Sequence, residues 1–207
     1  MDRTWVDSWL KILLPRAKKI KRMRWTLFDP TPDFYYLLKT GEENDLQAAA
    51  ARVSHHLELA HVPFVTYEWG LKLKPEAAGQ IKLRAGQQSS IQIPLLFVGR
   101  SQALGSILAH ELTHQFMISA DIKGTDQSET ELLTDLMSIT MGLGKIVLNG
   151  LVIFFEPNTN GIRVLGYLDP ALSVHAYNRV NQYFHIPNYV ARESLITDAL
   201  RMLEEWA

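Results

Sequence analysis

The chain contains no cysteine. That excludes a disulfide framework and any metal site built on thiolates, and it suits a reducing compartment such as the cytoplasm. A long hydrophobic run is also missing. The best stretch, MGLGKIVLNGLVIFF, is interrupted by Lys145, Asn149 and Gly150 and falls short of the roughly 20 apolar residues a membrane span needs. Leu13 and Leu14 are followed at once by Pro15 and a series of charges, so the amino-terminal stretch does not read as a secretory signal. There is no internal repeat and no low-complexity tract. The formal net charge of -1 argues against a chain built as a whole to bind polyanions. What is present is ordinary for a soluble globular protein: 207 residues, 47% hydrophobic and 21% charged, enough for one domain with a real core.

The small net charge hides an asymmetry. Residues 1–24 carry eight basic side chains against Asp2 and Asp7, whereas the remainder has 13 basic and 20 acidic residues. Trp5, Val6, Trp9, Leu10 and Leu13 fall on one arc of a helix over 4–14, which Pro15 should end or kink. Residues 1–27 therefore form a basic, amphipathic amino-terminal segment. It has three readings: packing on the body with its basic face in water, docking on a partner protein or nucleic acid, or lying on an anionic membrane surface with Trp5 and Trp9 among the lipids. No recognisable nucleic-acid motif accompanies it. The location it implies is cytoplasmic, with or without peripheral attachment to a membrane.

FDPTPD at 28–33 reads as a loop, and 44–60 as a helix rich in alanine and leucine. Strand signals follow at 63–69, 79–84 and 89–98, punctuated by glycine. A helix capped by Ser101 should run to about Ala120, and a second from about Glu129 to Val147. Residues 151–156 and 162–167 suggest a hairpin, and two helices separated near Pro187 complete the chain. The fold class is α+β, with strands expected to be antiparallel beside a helical layer.

Within the first long helix stands His110-Glu111-Leu112-Thr113-His114. Positions four apart on a helix point nearly the same way, so the two imidazoles can reach one metal ion. Catalytic zinc takes three protein ligands and leaves a fourth position for water, whose pKa it lowers toward about 7. Glu111 is beside that position but off the ligand line, where a general base belongs. Leu104, Leu108, Leu112 and Phe116, with Ile107 and Ile118, make the helix a buried one. A histidine pair satisfied within the core is the alternative.

On the second long helix Glu131, Asp135, Ser138 and Gly142 make one narrow stripe, while Leu132, Leu133, Leu136, Met137 and Ile139 fill other faces. A carboxylate stripe on an apolar helix is expensive unless it meets a cation, so it is expected to face His110 and His114. Gly142 would allow close approach of another backbone. Glu131 has a competing use, since Ser128-x-x-Glu131 fits a capping box. Asp126-x-x-Glu129 fits the same box and would leave Glu131 free.

HELTH followed by Thr130-Glu131-Leu132-Leu133-Thr134-Asp135 resembles the gluzincin group of zinc peptidases, particularly the compact minigluzincins. The likeness spans about residues 104–144, a fifth of the chain. It implies a zincin-like fold over 28–207, with a small antiparallel or mixed sheet packed on an active-site helix and a glutamate helix. It also implies Zn2+ as cofactor and a peptide or protein substrate cut internally. Glu131 then falls on the third ligand position and Asp135 on the carboxylate that orients the first histidine. The separation of His114 from Glu131 is shorter than in the larger enzymes, which keeps Asp135 as an alternative ligand. Such enzymes hold substrate against an edge strand ahead of the histidine helix; SSIQIPLLFV, with Pro94 tolerable at an edge, and GQIKLR are the candidates. Tyr167, His175 and Tyr177 are available as donors to an oxyanion. His55, His56, His61 and His185 read as surface or packing residues. The non-catalytic counterpart of this reading is a latent zincin-like protein that acts as a regulatory or interaction module.

Overall fold

Helix α4 (Ser101–Ser119) is the axis around which the other elements are laid. Its apolar residues occur on nearly every face, so a helix of this composition must be wrapped. Leu104, Leu108 and Leu112 are fully buried, and burying each leucine contributes roughly 1.5–3 kcal/mol. Ile118 is the exception to the expected apolar arc: it lies near the end of the helix and is 60% exposed. The computed structural model describes residues 1–20, 25–69, 80–82, 89–151, 154–155, 162–163 and 165–206. Among these, helices predominate and strands are few and short, which makes the chain α+β.

Before α4 come α1 (Arg3–Ile20), α2 (Pro32–Lys39) and α3 (Glu43–His56), then strands β1 (Phe64–Glu68), β2 (Gln80–Lys82) and β3 (Ser90–Pro94). After it come α5 (Gln127–Ser138), α6 (Gly144–Gly150), the two-residue strands β4 (Phe154–Phe155) and β5 (Ile162–Arg163), then α7 (Pro170–Tyr183), α8 (Asn188–Arg192) and α9 (Thr197–Trp206). α2, α3, α5 and α6 all pack on α4. The expectation of antiparallel strands is corrected for the longest pair. β1 and β3 run parallel, with Phe64 opposite Ser90 and Glu68 opposite Pro94, and only β2 is antiparallel to β3. β3 is consequently the central strand, so SSIQIPLLFV does not supply an edge; the strand in GQIKLR does. Pro94 is tolerated because it is the last residue of its strand. Val65, Ile91 and Ile93 are buried in the core. The outer edge of β1 is tied to α3 by Gln47, which donates to Pro63 O at 2.9 Å and accepts from Val65 N at 2.9 Å. β4 and β5 pair antiparallel, as the expected hairpin requires; the turn between them lies outside the described residues.

Three other expectations are revised. α1 continues through Pro15 to Ile20. The carbonyl that Pro15 leaves unbonded belongs to Lys11, on the exposed side, where water can take it. α1 also sends Val6, Leu10, Leu13, Leu14 and Ala17 into the common core. The FDPTPD loop ends in a helix start: Thr31 accepts from Phe34 N and Pro32 occupies the first turn of α2. Ser101 does not cap α4; it is the first helical residue, and its hydroxyl donates to Gln102 Oε1.

The largest revision is at 139–143. The second long helix does not run unbroken to Val147. It opens into a widened turn, in which Gly142 has φ +91°, and resumes as α6. A side chain there would be strained, and a Cβ would sit 2.3 Å from Thr26 O. The carbonyls freed by the turn are each taken: Trp25 Nε1 donates to Thr140 O, His56 Nε2 to Met141 O and Phe28 N to Gly142 O, all at 2.9 Å. His56 therefore has a specific partner that its sequence context does not reveal. Among the described residues, no helix is long and apolar enough to cross a membrane.

Candidate metal centre

α4 and α5 lie side by side and cross-link through polar groups. Thr113, which stands between the two histidines on α4, and Ser138, one turn beyond Asp135 on α5, bring Oγ1 and Oγ to 2.9 Å, both residues buried. α5 begins at Asp126, whose side chain accepts from Glu129 N at 2.8 Å, while Glu129 accepts from Thr125 N. The cap is therefore made by Asp126 and Glu129, and Glu131 points to α4 instead. The stripe behaves as expected over Glu131, Asp135 and Ser138. Gly142 leaves it, because the helix opens first.

His110 Nε2, His114 Nε2 and Glu131 Oε2 converge. The two nitrogens are 3.0 Å apart, and the carboxylate oxygen is 3.1 Å from the first and 3.0 Å from the second. The hydrogen bonds behind them settle what these atoms are. His110 Nδ1 donates to Asp135 Oδ1 at 2.7 Å. Thr134 Oγ1 donates to Thr130 O at 2.8 Å, so it accepts from His114 Nδ1 at 3.2 Å. Each ring thus carries its proton on Nδ1 and presents a lone pair at Nε2. Two nitrogen lone pairs and an anionic oxygen in mutual contact repel one another unless a cation, or a proton, lies among them. Among the described residues this is the group of histidine and acidic side chains close enough to hold a metal ion. The donor set suits a divalent ion of the zinc type, with each ring held by an outer partner.

Without such an ion the cluster must take up protons. Burial lowers the His110 pKa, but the hydrogen bond to Asp135 and its charge, the hydrogen bond that Glu131 accepts and the charge of Glu111 outweigh it and push the value to about 10. Burial raises the Glu131 pKa, yet its hydrogen bonds and charge contacts with both histidines hold it far below the usual carboxylate range.

Asp135 has a second task. Its Oδ2 accepts from Tyr167 N at 2.5 Å and Leu168 N at 2.8 Å. Gly166 makes this possible: its φ is +97°, and a Cβ there would stand 3.1 Å from the same oxygen. The chain after β5 is thereby fastened over the cluster, with the Tyr167 ring stacked on His110 at 5.5 Å between centroids. A cavity of about 30 Å3 remains, lined in part by His110, Glu111, Asp135 and Tyr167. That is room for at least one water. Glu111 is 6% exposed.

Of the other residues singled out in the sequence, His175 and Tyr177 are put to other uses. His175 Nε2 meets Asp7 Oδ1 at 3.0 Å, fastening α7 to α1. Tyr177 is buried and donates to Ala191 O at 2.6 Å. Sequence reasoning assigned no role to Thr134 or to the backbone of 166–168. Thr134 was accessible to it, since it stands three residues after Glu131 on the same helix face. Comparison with family models, curated proteins and solved structures finds no match to this chain. The reading of the site therefore rests on its own geometry.

Proposed function

We propose that the chain is a zinc-dependent peptidase of gluzincin type, with His110, His114 and Glu131 as metal ligands and Asp135 as the carboxylate that orients His110. The observation that carries this is the contact of two Nε2 lone pairs with a carboxylate oxygen, both Nδ1 protons being already committed. A divalent ion bound there supplies Lewis acidity toward water and a substrate carbonyl. Glu111, in the adjoining cavity, takes a proton from water and passes it to the leaving amine. Tyr167, which borders the same cavity, is the best placed of the three candidate donors to a developing oxyanion. β2, the edge strand near α4, is the surface along which a peptide could extend.

The test begins with metal content. Purified protein reconstituted with zinc and desalted should hold one ion per chain, and Glu131→Ala should hold close to none. Absence of zinc from the wild type would reduce the cluster to a core hydrogen-bond network. Glu111→Gln should keep its zinc while peptide hydrolysis falls by about 10²–10⁴-fold; unchanged hydrolysis in that variant would remove the mechanism.

A second reading has its own support. Leu165, Gly166 and Tyr167 close one side of the cavity beside Glu111, with the Tyr167 ring stacked on His110. A zinc-holding but latent or regulatory protein fits that closure. One zinc per chain with no turnover across a broad peptide library would favour it.

A further inference from the structure

We propose that the outward face of α1 and the groove it forms with α7 bind an anionic phospholipid surface. This is independent of the metal centre.

Three observations meet there. The first is charge. Lys11, Arg16, Lys18 and Lys19 are all exposed, and none is in an ion pair with a described residue. The sequence places no acidic residue between Asp7 and Asp29, and Asp7, the one carboxylate of α1, is paired with His175 and Arg179 of α7 rather than with these cations. Clusters of four or more cations on an amphipathic helix are attracted to anionic leaflets, each adding about five-fold to the affinity. The second is apolar exposure within the same face. Ile12 is 48% exposed and Pro15 is exposed beside it. Pro15 is where α1 lacks a backbone donor. The third is a groove of about 450 Å3 between α1 and α7, floored by Leu10 and Leu14 and walled by Pro15 and Tyr183, with Lys11 on its rim beside Asp7, whose charge is taken up by Arg179 and His175. Tyr183 is 41% exposed.

Apolar floor and cationic rim are what an acyl chain with an anionic head requires. Stable attachment takes two signals, a basic patch and an apolar insertion, and this face offers both. A nucleic acid would use the cations but has no need of Ile12 or of a carbon-lined groove, and the face lacks the interleaved aromatics that stack on bases. Trp5 and Trp9 are not the inserting residues. Both are half-buried against the protein's own core, so the apolar groups this face exposes are Ile12 and Pro15.

The test is co-sedimentation of the full chain with vesicles of phosphatidylcholine, with and without phosphatidylserine. Binding should require phosphatidylserine. The triple variant Lys11→Gln, Lys18→Gln, Lys19→Gln alters only exposed side chains and should bind at least ten-fold more weakly with its circular dichroism unchanged. Ile12→Ser should weaken vesicle binding several-fold at high salt, where the electrostatic contribution is screened. Equal sedimentation with pure phosphatidylcholine and mixed vesicles, or no sedimentation with either, would overturn the proposal. So would binding to a DNA or RNA duplex that exceeds vesicle binding and is indifferent to Ile12→Ser.

Discussion

Two buried polar clusters lie along the polypeptide from α5 to α6, and they differ in kind. At α6, Lys145 is 1% exposed and its Nζ meets Asp29 Oδ1 at 3.0 Å. One turn on, buried Asn149 donates to Tyr35 OH at 2.8 Å and Ser194 O at 2.9 Å, and accepts from Ile196 N at 3.0 Å. Donors there meet acceptors. At α5, acceptors meet acceptors: two imidazole lone pairs and a carboxylate oxygen in mutual contact. The first cluster is complete as protein and holds loop 25–31 and the carboxy-terminal helices to α6. The second is incomplete without something positive. Burial of polar groups therefore does not by itself mark a site; the sign of what remains unpaired does.

The comparison breaks most sharply under mutation of one acid from each cluster. Glu131→Ala should abolish stoichiometric zinc binding, and in the metal-free protein it also removes the contacts that Glu131 makes with His110 and His114. Asp29→Ala should leave zinc binding intact. It leaves Lys145 buried without its partner and, since Asp29 itself is half-exposed and water can partly compensate, should cost about 2 kcal/mol. Thermal denaturation would register this as a drop of roughly 4–8 °C, with zinc stoichiometry untouched. Loss of zinc binding in Asp29→Ala would mean that the two clusters are not separate devices.

A smaller effect separates them by pH. In the metal-free protein His110 has its pKa raised from 6.5 to about 10. A raised value means that the protonated ring stabilises the folded state fully below about pH 6.5, and that this contribution is lost as pH rises through about 10. Metal-free protein should therefore lose melting temperature between those values. Zinc-loaded protein should not, because its His110 carries no second proton to lose. Apparent zinc affinity should climb over the same window as protons cease to compete. Parallel melting profiles with and without zinc would contradict this assignment of the cluster.

How far the site was legible in the sequence follows from the same distinction. Helical spacing aligns His110 with His114 and Glu131 with Asp135, and spacing is visible in a linear chain; the meeting of the two faces is set by the packing of α4 on α5. The choice between the two capping boxes is not visible there; it depends on whether Asp126 or Ser128 adopts the extended conformation that starts the helix, and Asp126 does. The opening at 139–143 is likewise hidden. The sequence there is apolar and helix-compatible, and the turn is stabilised by Trp25, His56 and Phe28, residues far off in the chain. Lys145 and Asn149 mark the end of a membrane-span reading in the sequence, yet nothing local tells that both are buried. Strand direction was missed for a related reason: β1 and β3 look alike as sequence whether they run parallel or antiparallel, and the order β1-β3-β2 is set by what packs on α3 and α4.

The mildest test concerns Thr134, which completes the proposed metal centre from behind His114. Its hydroxyl donates to Thr130 O and accepts from His114 Nδ1. Valine has nearly the same shape but no acceptor. In Thr134→Val the His114 ring loses the partner that fixes its tautomer, while His110 keeps Asp135. Outer partners of metal-bound histidines contribute about 10–100-fold to affinity, the larger figures belonging to charged partners, so a neutral hydroxyl belongs near the lower end. Zinc affinity measured by chelator competition should fall by about ten-fold, with the folded state otherwise preserved. Asp135→Asn should fall further, because it also weakens the hold on Tyr167 and Leu168. A Thr134→Val variant as weak as Asp135→Asn would show that His114, rather than His110, is the ring whose orientation limits binding, and would invert the ranking of the two rings' outer partners.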